Sequence, residues 1–412
     1  MSRQSIFLVL VVVLIGQLAW VQPVAAGGLY VAEFATSDMG AAGSGSLARG
    51  GDAASAFANP ATMTRLDSHQ LQLGMAPGVS VVRFDQDSGT PVPGNNGGGQ
   101  GGFIPLLGSS YVHKVSDRIR AGMGLFSISG AALSPNSDWA GRYQVTDIQL
   151  FTLSFVPTVA FKLTDWLSVG VGTTVTYATL DWKLKVPDGV GGEVNVKLDD
   201  LDDWAAAALV GILIEPNDKF RVGLTYQSET KLKLQGKFKG LAPDGLDLSL
   251  ELPLAHAIRA DAIWQATDDL AFSFGTAVEF WSSLKDTDID IGPVETEVRL
   301  GFKDSWKLRA GVHYQLNELW MVQTGLSYDS SALGTKDRTP ALPIDEQWRW
   351  GIGGTYAWSE SKTIGFAFQY VNLGKSKIDS TALKGDYKDN EILFFVLNLN
   401  MAQLPWNGKA SF

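Results

Sequence analysis

The chain has 412 residues, with 45 Gly, 13 Trp, no Cys and a formal net charge of −10. The absence of Cys excludes disulfides, thiolate catalysis and thiolate metal sites together. The acidic balance argues against nucleic acid as a partner, because phosphate binding needs basic patches.

The first element is an address. Arg3 supplies a positive start, Ile6 to Ile15 is an almost unbroken apolar run, and Gly16 to Trp20 continues it weakly. Val24-Ala25-Ala26 offers the small residues that signal peptidase needs. Residues 1–26 therefore read as a secretory signal peptide cleaved after Ala26. The apolar run falls short of the ~20 residues that span a bilayer as a helix. No later stretch is apolar enough for a membrane helix, and mean hydropathy is near zero. A transmembrane barrel reads this way, because only every second residue faces lipid.

Residues 27–66 are rich in Gly, Ala and Ser and show neither strand alternation nor a long amphipathic helix. Gly43-Ser-Gly45-Ser-Leu-Ala48 superficially fits a dinucleotide fingerprint, but no apolar strand precedes it and no helix pattern follows.

From His69 onward the pattern has period two. Leu167, Val169, Val171, Thr173, Val175 and Tyr177 share one face, against Ser168, Gly170, Gly172, Thr174 and Thr176. Leu270 to Phe280 and Ile364 to Tyr370 repeat it. Such alternation argues for strands with one apolar face. Short polar turns fall at 115–118, 163–166, 215–218, 266–269, 315–318 and 359–361. Between them lie longer polar segments, expected to be loops, at 85–105, 131–148, 183–203, 236–247, 285–303, 329–346 and 372–390. The Gly-rich run 94–102 reads as a mobile loop tip. The expectation is an all-β fold: a 14-stranded antiparallel transmembrane β-barrel over 67–412, with short periplasmic turns and long outer loops.

Aromatics support a membrane setting. Trp166 and Tyr177 lie eleven residues apart in one strand, roughly 28 Å at a ~40° tilt. That matches an apolar band ~25 Å tall with aromatics at both rims. Trp264, Trp320 and Trp358 fall near proposed turns; Trp182, Trp281, Tyr328 and Trp348 fall near proposed loops.

The stretch from Asp52 through Asn59-Pro60-Ala61 and Met63 to Leu66 resembles the N-terminal motif of the FadL/TodX family of outer-membrane carriers of hydrophobic compounds. Trp139-Ala-Gly141-Arg142-Tyr143, Arg221-Val-Gly223-Leu-Thr-Tyr226-Gln-Ser228 and Phe302-Lys-Asp304-Ser-Trp306 are similar to the same family, in order, across the mature chain. The resemblance implies a barrel plugged by a small hatch, here 27–66, with Asn59, Pro60 and Ala61 as its turn near the wall. It also implies capture at outer loops, an apolar pocket, and sideways exit at a distorted third strand, here Ile119–Gly130. Two departures stand out. Thr62 occupies a usual Gly position, and Ser127-Ile-Ser129-Gly130 lacks a frequent Pro.

An apolar pocket opening sideways keeps an alkyl chain out of water, at ~0.8 kcal/mol per buried methylene. Phe126 and Ile128 on the inward face of the third strand suit such a pocket. In Trp306–Tyr314 the even positions are apolar, so Lys307, Arg309 and His313 are expected in the lumen. Arg120, Arg221, Arg259 and Arg349 follow by the same parity. Lys307 and Arg309 have two readings. They bind a substrate carboxylate, or they pair with lumen acids such as Asp261 and Glu279, or with Glu33, Asp38 and Asp52 of the hatch.

Asp286, Asp288, Asp290 and Glu297 occupy calcium-loop positions, but Ile291 stands where the sharp turn wants Gly. A solvated strand face is the reading there, and solvation is the default for Asp199, Asp200, Asp202 and Asp203 too. No metal and no cofactor is expected. None of His69, His113, His256 and His313 sits in a recognisable catalytic motif, so no enzyme activity is expected.

The expected function is transport of hydrophobic compounds, above all long-chain fatty acids, by a monomer in the outer membrane that contacts lipid and lipopolysaccharide. The alternatives are an aromatic-hydrocarbon channel of the same fold, a general porin, an outer-membrane lipid hydrolase and an adhesin.

Overall fold

The structure, a computed structural model, describes residues 36–127 and 130–402. The proposed signal peptide, the start of the small-residue segment and Ile128 lie outside the described residues. Fourteen antiparallel spans close on themselves. The first comprises Gln70–Met75 and Gly78–Gln86, the second Phe103–Ile104 and Leu107–Lys114, and the third Ile119–Phe126 and Gly130–Leu133. Asp147–Lys162, Leu167–Pro187 and Glu193–Asn217 are the fourth to sixth. The seventh joins Phe220–Gln227 to Thr230–Lys239, and the eighth joins Leu246–Leu254 to Ala257–Gln265. The ninth is Leu270–Glu279 with Asp286–Ile291, and the tenth Val294–Arg299 with Ser305–Gln315. Trp320–Asp329, Gln347–Ser359, Lys362–Asn372 and Lys384–Ala402 complete the ring. The last span pairs with the first, Gln70 opposite Ala402 and Gly78 opposite Phe394, so the sheet closes on itself.

The six short turns fall where alternation ends. Several of the seven segments expected to be loops instead hold long stretches of strand. Residues 183–203 carry the fifth span to Pro187 and begin the sixth at Glu193. Residues 236–247 and 285–303 likewise hold strand ends, including Asp286–Ile291 and Val294–Arg299. These ends are polar outside and apolar inside, the reverse of the membrane stretch. In the fifth span Val171 faces outward, while farther on Leu180, Trp182, Leu184 and Val186 are buried inward beside outward Asp181 and Lys183. The period stays at two; the solvent outside changes from lipid to water.

The apolar inner faces at this loop end form one large cluster, in which Trp182, Leu198, Leu234, Leu250, Trp281 and Phe302 are buried together. Each such side chain, fully buried, contributes about 1.5–3 kcal/mol. Trp182 and Trp281 thus belong to the core and not to an interfacial girdle. Their indole N–H groups donate to the Gln144 carbonyl and the Glu279 carboxylate, both at 2.9 Å. The girdle residues that do face outward include Tyr177 on Trp204 and Tyr328 between Trp306 and Trp348 at one rim. Trp264 on Phe272 and Trp320 on Tyr356 mark the other.

Residues 36–66 do not join the sheet. Four short helical turns, Ser37–Ala41, Ser46–Arg49, Ser55–Ala58 and Pro60–Arg65, pack on the inward faces of the spans. Ser37–Ala41 lies on the twelfth and thirteenth spans, Ser46–Arg49 on the seventh and eighth, and Pro60–Arg65 on the fourth to sixth. Two inward glycines make room for this backbone. A Cβ on Gly223 would fall on the Leu47 carbonyl, and one on Gly211 would fall on the Asn59 amide oxygen. The glycine in the Arg221–Ser228 motif is therefore set by this close approach.

Candidate functional site in the lumen and side wall

Asn59 fastens the lumen segment to itself and to the wall. Its Oδ1 accepts from the Ala61 amide at 3.1 Å, capping the turn that Pro60 opens. Its Nδ2 donates to the Leu47 carbonyl at 2.7 Å and the Ile212 carbonyl at 3.0 Å. Pro60 and Ala61 are buried beside it. Thr62, in its unusual place, donates to the Asn59 carbonyl at 2.7 Å, so its hydroxyl is satisfied locally. Within the segment Arg49 holds Asp38 at 2.6 Å and Asp52 at 3.2 Å.

Both lumen cations singled out from strand parity point inward and meet acids. Arg309 reaches Asp261 at 2.9 Å and donates to the Gly43 carbonyl at 3.2 Å. Asp261 also accepts from the Leu47 amide at 3.0 Å, which joins wall, cation and lumen segment in one network. Lys307 lies 3.1 Å from Asp329 and 3.9 Å from Glu279, and Arg349 shares Asp329 at 3.0 Å. Asp329 falls at the start of an expected loop, yet it ends the eleventh span, and its register opposite Lys307 makes it the natural partner. His313 bonds Ser273 and the Gln323 side chain at 3.0 Å each, and Gln323 donates to the Ser37 carbonyl. Gln323 escaped sequence reading because one polar residue on an alternating strand carries no signal of its partner.

The side wall opens beside the third span. The second and third spans pair only from Gly108–Phe126 down to Lys114–Arg120. Beyond that, Phe103–Ile104 pairs with the first span and Gly130–Leu133 with the fourth, so among the described residues the ladder stops between them. The third span thus continues past the expected end at Gly130, after a break. Pro77 and Pro105 sit in the neighbouring spans at this level, and each removes a ladder donor. A cavity of about 380 Å³ fills the seam. It reaches from outward-facing Phe103 and Phe151 to buried Leu106, Leu133 and Leu150. Phe126 is buried next to it and packs its ring 4.4 Å from Phe57 of the lumen segment.

The Trp139–Tyr143 motif clips three loop-end segments together. The Trp139 indole donates to the Val145 carbonyl at 2.7 Å. Arg142 reaches Glu193 at 2.6 Å and the Pro93 carbonyl at 2.6 Å, and the Tyr143 hydroxyl donates to Glu193 at 2.7 Å. Burial pushes the Glu193 carboxyl up, but bonds from Tyr143, Arg142 and Lys185 outweigh it and hold the pKa down to about 2. The Gly-rich run is tied down as well: Asn95 bridges to Trp139, and the Gln100 amide donates to Val82 at 2.9 Å. Asp286, Asp288 and Asp290 lie in a hairpin strand, Asp288 facing Glu297 across the ladder, with no calcium-loop geometry. Asp199 is engaged by Lys197 and Lys239.

A closed antiparallel barrel with outward aromatic rims, a folded segment inside and an apolar seam in its wall defines an outer-membrane transport protein. A family model described as outer membrane protein transport protein (OMPP1/FadL/TodX) matches residues 17–397. The chain belongs to that family. It is 24% identical to a long-chain fatty acid transport protein of Salmonella typhi, covering 98% of this chain and 100% of that one. The corresponding protein of Escherichia coli strain K12 is also 24% identical, with the same coverage. A solved Pseudomonas aeruginosa FadL homologue superposes with a TM-score of 0.83 at 19% identity, over 92% of this chain and 100% of that chain. The Ralstonia pickettii toluene transporter TbuX superposes at 0.70 with 16% identity, over 90% and 99%.

Proposed function

We propose that this protein carries long-chain fatty acids from the cell exterior into the outer membrane. Substrate is captured at the loop end and passes along apolar inward faces. It leaves sideways at the break in the third span, by Phe126 and Ile128. Residues 27–66 act as the hatch, with Asn59, Pro60 and Ala61 setting its position. The observation that carries this reading is the seam, where an apolar cavity coincides with the end of the ladder between the second and third spans. An alkyl chain moving there exchanges water for protein and then lipid without re-exposure. The closed ring needs no partner chain, and a monomer lying among lipid and lipopolysaccharide suffices.

Arg309 and Lys307 are satisfied by Asp261 and Asp329, so a carboxylate binding them must displace an existing partner. The test is uptake of labelled oleate by cells lacking their own fatty-acid carrier. The expected result is uptake restored by this gene. No gain over cells without the gene would reject the reading. A second reading, uptake of uncharged aromatic hydrocarbons, is favoured by a seam lining that carries no cation among the described residues. Labelled toluene in the same cells tests it.

A further inference from the structure

The seam cavity is apolar but not wholly so. Phe103, Leu106, Leu133 and Phe151 supply much of its surface, and four uncharged polar side chains line it too: Ser134 and Gln149, which are exposed, and Gln100 and Ser127. The last two are sealed from solvent, Gln100 to 1% and Ser127 to 2% exposure. Among the described residues Gln100 Oε1 and Ser127 Oγ have no hydrogen-bond partner. The Gln100 amide is oriented by its Nε2, which donates to the Asn96 carbonyl at 3.3 Å, so Oε1 is the free end. Buried polar atoms are rarely left unpaired, because the desolvation is then uncompensated. A head group that reaches them through a small shift of the lining would meet one acceptor and one hydroxyl.

The charge of the lining points the same way. Among the described residues no Lys or Arg lines the cavity, and the charged side chain there is Asp147, held 3.2 Å from Lys183. A carboxylate entering would lose its water and find the nearest cation, Lys183, already engaged by Asp147. A protonated carboxylic acid fits instead. It brings both an O–H for an acceptor such as Gln100 Oε1 and a carbonyl for a hydroxyl such as that of Ser127.

We propose that the seam is a selectivity point for uncharged head groups, with Ser127 and Gln100 as the specificity-determining residues. It passes neutral acids and alcohols on long apolar chains and rejects permanent anions. This rests on the transport reading above and adds the charge state of the cargo at the wall.

The test compares uptake of oleic acid, oleyl alcohol, octadecyl sulfonate and octadecene in cells lacking their own carrier. Wild type is expected to move the acid, the alcohol and the hydrocarbon, and to move the sulfonate at least about tenfold more slowly. The double variant Ser127→Ala, Gln100→Leu should lose roughly tenfold on the acid and the alcohol and leave octadecene unchanged. Ser127→Thr, which keeps a hydroxyl, should stay near wild type, and heat-modifiable gel mobility checks that each variant is a folded barrel. Sulfonate moving as fast as the acid overturns the proposal. So does an equal loss on octadecene, or no loss on the acid and the alcohol. If none of the four compounds moves above cells without the gene, the transport reading itself fails.

Discussion

Arg309 and Asp261 meet at 2.9 Å inside the barrel, with side-chain exposures of 2% and 0%. They stand on nearby spans, Asp261 opposite Gly275 and Gly275 opposite Arg309. Gly275 leaves the space they share: a Cβ there would fall on the Asp261 carboxylate. Breaking such a buried pair by removing one partner costs about 3–5 kcal/mol, chiefly because the other charge is stranded. Arg309→Ala should therefore lower stability by that order in urea-induced unfolding from lipid vesicles. It should weaken oleate and an alkane of equal length alike. A loss confined to oleate, of about tenfold or more, would instead assign Arg309 to the substrate carboxylate.

Gly223 is where the Leu47 carbonyl touches the wall. Gly223→Val should push the lumen segment off the seventh span while leaving the outer, lipid-facing surface untouched. The expected outcome is a folded, heat-modifiable barrel with raised permeability to small hydrophilic antibiotics. Unchanged permeability would show that 27–66 does not govern passage.

The Asn59 side chain makes three hydrogen bonds, two of them to the carbonyls of Leu47 and Ile212. Asn59→Ala leaves those carbonyls short of a donor, at about 1–3 kcal/mol for each group left unsatisfied. The lumen segment should become more sensitive to protease added from the periplasmic side. Protection equal to wild type would rule out an anchoring role.

The loop-end clip is acid-sensitive in a defined direction. The folded pKa of Glu193 is held down from 4.5 to about 2, so its stabilising contribution is complete above about 4.5 and is lost as pH falls through about 2. Tryptophan fluorescence should report loosening around Trp139 across that window. Glu193→Gln should remove the transition; a transition that persists unchanged in this variant would assign it to other carboxylates.

Orientation can be read directly, since the chain has no Cys of its own. On intact cells an impermeant thiol reagent should label Gly98→Cys in the long connection and not Asn217→Cys in the short turn. The reverse pattern would invert the barrel.

Alternation along the chain was enough for the membrane-spanning part of the strands, the tight turns and the side each residue there faces. Period-two alternation is a local property, and lipid on one side enforces it. Trp306, Leu308 and Tyr314 face outward and Lys307, Arg309 and His313 face inward, as parity requires. Parity states which residues share the lumen but not which of them touch. That Arg309 meets Asp261, that Lys307 and Arg349 share Asp329, and that Asn59 reaches Ile212 follow from register between spans and from the path of 37–66 across them. The strand extensions past the membrane were hidden for a related reason. Polar residues such as Asp181, Lys183 and Lys185 resemble loop until their apolar partners are seen to pack across the ring. The seam was decided by tertiary structure alone, because a ladder that stops between the second and third spans is a relation between two segments and a property of neither. Pairing energy is set by which backbones lie side by side, and only the closed barrel fixes that.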